Sequence, residues 1–80
     1  MTSILSFVNN RWLQTNRHAK NYKLQLEDIE VAGIGHSRSV SMIIKAKSSI
    51  KKSRNYHVAL SLDYLPDQGW VIRDEKWRFI

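Results

Sequence analysis

From Tyr22 onward, apolar and polar side chains alternate with a period of two, in runs divided by turn-forming residues. Successive side chains of a strand point to opposite faces, so such runs build a sheet with one apolar face. Tyr22, Leu24 and Leu26 begin on one face; the phase then slips by one to Ile29 and Val31, and a bulge near Glu27 and Asp28 accounts for the slip. The GIG of Gly33 to Gly35 closes this run as a turn. Val40, Met42, Ile44 and Ala46 then face inward, with Ser39, Ser41, Lys45 and Lys47 outward and only Ile43 out of place. Tyr56, Val58, Leu60, Leu62 and Tyr64 form a third run, opposed by His57, Ala59, Ser61 and Asp63. PDQG places Pro66 and Asp67 at the centre of a turn closed by Gly69. A fourth run carries Trp70, Ile72, Trp77 and Phe79, with a second slip around Asp74 and Glu75. Strands are expected over about residues 22–32, 37–47, 55–65 and 70–79.

Before Tyr22 the period is different. Leu5, Val8, Trp12, Thr15, Ala19 and Tyr22 recur at spacings of three and four, one apolar stripe on a helix over about residues 3–20. Thr2 or Ser3 can cap it by accepting a backbone N–H bond. The order predicts an α+β domain: one N-terminal helix packed on a four-stranded antiparallel meander. Eighty residues make a single domain, 1–80, that buries only roughly 60–65% of the surface of its unfolded chain, so a partner or a second copy can complete a thin core. The absence of cysteine excludes disulfide staples, thiolate catalysis and the usual structural zinc sites. The opening TSILSFV is too short and is followed too soon by Asn9, Asn10 and Arg11 for a signal or membrane segment, so a soluble cytoplasmic protein with no integral membrane segment is expected.

The strands LEDIEVAG, VSMIIKAKSS, NYHVALSLDYL and GWVIRDEKWRFI, in that order, resemble the closing sheet of the cystatin-like superfold, including its nuclear-transport-factor-like families. In the last hairpin Gly69, Trp70, Ile72, Asp74, Glu75 and Trp77 fill a G-W-x-I pattern followed by acidic residues and an aromatic. The resemblance covers about residues 22–80 and implies a helix laid across a curved sheet. It also admits, by analogy, a role as an accessory of conjugation or secretion assembly. The extra helices that close a pocket in those families have no counterpart in the length of this chain, and no carboxylate, His or Tyr set matches their catalytic residues.

No catalytic constellation is assigned, and the expectation is a non-enzymatic protein without cofactor or metal. His18, His36 and His57 are not at metal-ligand spacings. His36 and Ser37, like Asp74 and Glu75, are neighbours on a strand and point apart, which is poor geometry for proton transfer. GIGHS lacks the lysine and following helix of a phosphate-binding loop and reads as a turn. Trp12 and Trp70 belong to apolar stripes and are core residues, while Trp77 stays open between core and surface.

Charge is the strongest functional signal. The net charge is +6, and residues 31–62 contain Arg38, Lys45, Lys47, Lys51, Lys52 and Arg54 with no Asp or Glu, whereas the remainder balances. A localised patch sets the field that an approaching anion meets. These six residues are the candidate electrostatic contacts for an acidic protein partner, and a homodimer would cover the open side of the sheet or the C-terminal strand. The alternative is nucleic acid bound by the same residues, gaining affinity by counterion release. A lysine-rich hairpin also guards a sheet against edge-to-edge aggregation, a purely structural role.

Overall fold

The computed structural model describes residues 3–13, 22–48, 50 and 52–80. Four strands, β1 (Tyr22–Ile34), β2 (Ser37–Ser48), β3 (Arg54–Leu65) and β4 (Gly69–Phe79), form one antiparallel sheet in the order β1-β2-β3-β4. Ahead of them lie a short helix α1 (Ile4–Phe7) and a π-helical turn (Val8–Trp12). The architecture is thus α+β, with a short N-terminal helix and a four-stranded meander.

The turns follow from their residues. Ile34 pairs with Ser37 across Gly35 and His36, and Gly35 takes φ +67°, the positive value that a type II′ turn needs at its first central position. At the other end the Gln68 N–H donates to the Leu65 carbonyl at 3.2 Å around Pro66 and Asp67, and Gly69 at φ +79° leads into β4.

Both edge strands carry a bulge. In β1 the register shifts between Glu27 and Glu30, and Asp28 sits at φ +51°, a region that Asp enters more readily than most residues. In β4 the register shifts opposite Ser61 and Leu62, which leaves Arg73 as the extra residue between Ile72 and Asp74. Each slip of apolar phase in the sequence therefore corresponds to an inserted residue.

One face of the sheet supplies Val40, Met42, Ile44, Val58, Leu60, Leu62 and Trp70 to the core, and the helical segment covers it with Phe7, Val8, Trp12 and Leu13. The membership of that helical face differs from the straight stripe expected. Leu5 is 45% exposed, while Phe7 and Leu13 are buried. For Leu13 the cause is the π turn: its N–H bonds the Val8 carbonyl five residues back, which widens the turn and sets Trp12 and Leu13 on either side of Val8. The Asn9 side chain donates to the Leu5 carbonyl at 3.0 Å and competes for an acceptor of the regular helix at this point. Ser3 stands at the N-cap without making a side-chain capping bond. Thr15, Ala19 and the rest of the expected helix to residue 20 lie outside the described residues. No helix among the described residues is long and apolar enough to cross a membrane.

Gly33 bears the tightest backbone constraint. It holds φ +93°, and a Cβ there would meet the Ser37 carbonyl oxygen at 2.7 Å, whereas a Cβ on Gly69 meets nothing within 4 Å. Gly33→Ala is expected to lower stability by about 2 kcal/mol or more and Gly69→Ala by about 1, measured by urea unfolding. Equal costs would show that positive φ alone, and not the carbonyl contact, constrains Gly33.

Candidate binding surface on the open face of the sheet

The alternation that turns Val40, Met42 and Ile44 to the helix turns Ser39, Ser41, Ile43, Lys45 and Lys47 to the other side. Cross-strand partners share a face, so the register extends this surface row by row. Lys23 lies across from Lys47, and Gln25, Lys45 and Asn55 form the next row. Glu27, Ile43, His57 and Arg78 follow, then Glu30, Ser41, Ala59 and Lys76, then Ala32, Ser39, Ser61 and Asp74. The middle of the face is low, because Ser41, Ala59 and Ser61 are small. An open depression of about 520 Å³ lies where Ala59 is flanked by His57, Lys76, Trp77 and Arg78.

Charge is graded along this face. At the Ser37 end, Arg73 reaches Asp63 at 3.2 Å and the Ser37 hydroxyl donates to the same carboxylate at 3.0 Å, so the cation there is neutralised. At the opposite end Lys45 pairs with Glu27 at 3.0 Å, but Lys23, Lys47 and Arg78 have no ion pair among the described residues. Lys76 has only Asp74, at a loose 3.8 Å and with both side chains largely in solvent. The cationic end is therefore Lys23, Lys45, Lys47, Lys76 and Arg78, with His57 among them.

The sheet divides the six sequence-selected residues. Lys45 and Lys47 stand on the open face and Lys52 is exposed in the segment before β3, while Lys51 lies outside the described residues. Arg38 is opposite the buried Leu62, hence on the helix side, where its Nε donates to the Gly35 carbonyl at 3.0 Å. Arg54 is opposite Ala46 on that same side and lies over the Phe79 ring at 5.6 Å. Strand parity held the signal for this: 38 and 54 are even, like the inward residues of their runs. Lys76 and Arg78 join the face instead, and only counting through the bulge at Arg73 finds them. The adjacent His36 and Ser37 part as expected, His36 packing on the Tyr64 ring at 5.6 Å while Ser37 bonds Asp63.

On the helix side of β4, Glu75 has a role that spacing did not reveal. One carboxylate oxygen accepts the Trp12 indole N–H at 2.8 Å, and the other accepts the Trp77 indole N–H at 2.7 Å. The two indoles lie 5.8 Å apart, and Trp77 continues through Tyr56 at 5.5 Å to Phe79, a further 4.9 Å. The first turns of the chain are thereby tied to its last strand.

Comparison with protein-family models, with curated proteins and with solved structures finds no match.

Glu75→Gln leaves one acceptor oxygen for two indole donors, because the amide nitrogen cannot accept. A loss of about 1 kcal/mol in urea unfolding is expected, together with an upfield shift of one indole N–H resonance. Two unmoved indole resonances would contradict the shared carboxylate.

Proposed function

We propose that this chain is a small non-enzymatic binding or assembly module that presents the cationic end of its open sheet face to an acidic protein surface. The carrying observation is the charge left without a partner there, above all Lys23 directly across from Lys47 with Arg78 on the same face. Like charges opposite one another destabilise a free sheet, and an acidic partner removes that cost. Complementary potential also steers encounter and fixes register. A protein is favoured over nucleic acid because the large aromatic rings, Trp77 and Phe79, lie on the helix side of β4, and the described part of the open face offers only His57 for stacking on bases.

The helix laid on an antiparallel meander supports placing this single domain in the cystatin-like layout, and by analogy a role as an accessory of conjugation or secretion assembly in the cytoplasm. A homodimer in which a second copy covers the open face or the C-terminal strand is a separate, self-associating form of the module.

The test is anisotropy with a fluorescent oligoglutamate peptide at low salt. Lys47→Glu with Arg78→Glu is expected to weaken binding by about tenfold or more, and Arg38→Glu, on the other side of the sheet, to leave it unchanged. No binding of the peptide at low salt overturns the reading. Tighter binding of a nucleic-acid duplex, lost steeply with added salt, transfers the same face to nucleic acid.

A further inference from the structure

Among the described residues β1 and β4 end the strand order, so each leaves one row of main-chain groups without a partner strand there. The phase of those rows follows from two bonds. The Ile80 N–H donates to the Asn55 carbonyl, which makes these residues a hydrogen-bonded pair. Pairs alternate along an antiparallel ladder, so Trp77 and Phe79 direct their main-chain groups away from β3. The Tyr64 N–H donates to the His36 carbonyl, and the same alternation carried through β2 leaves Leu24, Leu26 and Val31 directing theirs away from the sheet. The two free edges run antiparallel to each other, as neighbours in one continuous sheet would.

Their side chains are complementary on both faces. On the open face β1 carries Glu27 and Glu30, and β4 carries Lys76 and Arg78. Glu30 and Arg78 have no ion pair among the described residues. On the helix side β1 carries Leu26, Ile29 and Val31, and β4 carries Trp77 and Phe79, of which Val31 is 37%, Trp77 38% and Phe79 65% exposed.

We propose that β1 of a second copy pairs antiparallel with β4, extending the sheet from one copy into the next, with Glu30 opposite Lys76 and Glu27 opposite Arg78. In this register Leu26 meets Phe79, the Asp28–Ile29 bulge meets Trp77, and outward-directed main-chain groups face each other on both strands. Opposite charges and apolar side chains in direct cross-strand position are the stabilising unit of such a contact. The contact is heterologous: each copy offers β4 to one neighbour and β1 to another, so copies add in rows and do not close as a face-to-face dimer. It shares Lys76 and Arg78 with the acidic-partner reading, but the main-chain edges and the helix-side residues belong to it alone, and the mixing experiment below tests it separately.

Sedimentation velocity over a concentration series, at about 0.15 M salt to screen the net positive charge, tests the pairing. The weight-average mass of the unaltered chain should rise continuously with concentration. Glu30→Lys and Lys76→Glu, each checked for folding by circular dichroism, should separately raise the concentration needed by about tenfold. An equimolar mixture of the two should restore association, because Lys at 30 then meets Glu at 76 while the unaltered edges still match. A monomer at every concentration, a dimer that grows no further, or a mixture that associates no better than its components would overturn the proposal.

Discussion

Four helical side chains decide whether the rest of this chain can be a sheet at all. Val40, Met42, Ile44, Val58, Leu60 and Leu62 stand on one face, each almost wholly removed from solvent, and among the described residues the cover is Phe7, Val8, Trp12 and Leu13. Each large aliphatic side chain so buried contributes roughly 1.5–3 kcal/mol, and without the helical segment most of that burial is lost. The π turn makes so short a cover sufficient, since it gathers Trp12 and Leu13 on the side of Val8, where a regular helix would carry Leu13 away. The Glu75 carboxylate then fixes the orientation of the cover by holding Trp12 and Trp77 at once. Local helix geometry, core burial and the position of the C-terminal strand form a single dependency.

The open face is the complement of that dependency. With the large apolar residues of β2 and β3 other than Ile43 committed to the helix side, the other side receives chiefly Ser, Ala, Lys and His, a low surface on which charge is the dominant long-range signal. The Arg73–Asp63 pair and the Ser37 hydroxyl neutralise one end internally, so the field is concentrated at the end near Lys23 and Lys47. That asymmetry does not follow from net charge, and it is what gives the face a direction.

The strands were legible because their burial alternates faithfully: every inward residue read from Val40 to Leu62 in β2 and β3 is on the helix side. Both bulges were legible as slips of apolar phase, the first at Glu27–Asp28; the second was read around Asp74 and Glu75, whereas the inserted residue is Arg73 and Glu75 pairs regularly with Leu60. Among the described residues the helical face was legible in Val8 and Trp12 but not in Phe7 or Leu13, and a pattern counted at regular helical spacing has no place for the wider turn that brings in Leu13. Charge clustering along the sequence was a poorer guide than parity, since Arg38 and Arg54 are near Lys45 in the chain and across the sheet from it in space. The Glu75 bridge joins residues 63 positions apart, and no local pattern carries that information.

The two inserted residues do more than bend the edges. Glu27 and Glu30 are three apart and would stand on opposite faces of a regular strand; the extra residue in β1 brings both to the open face and returns Val31 to the helix side. In β4, Ile72 and Trp77 are five apart, and the extra residue at Arg73 keeps both on the helix side while setting Asp74, Lys76 and Arg78 together opposite. Without that insertion the outer part of β4 would turn its charges onto the core. Bulges commonly discourage pairing by twisting an edge away. Here they also determine which charges each edge displays: acidic residues on β1, and on β4 the two bases beyond the bulge. Edge chemistry in this fold is therefore set by backbone irregularity as much as by composition, and the apolar phase slip and the charge pattern are two consequences of the same inserted residue.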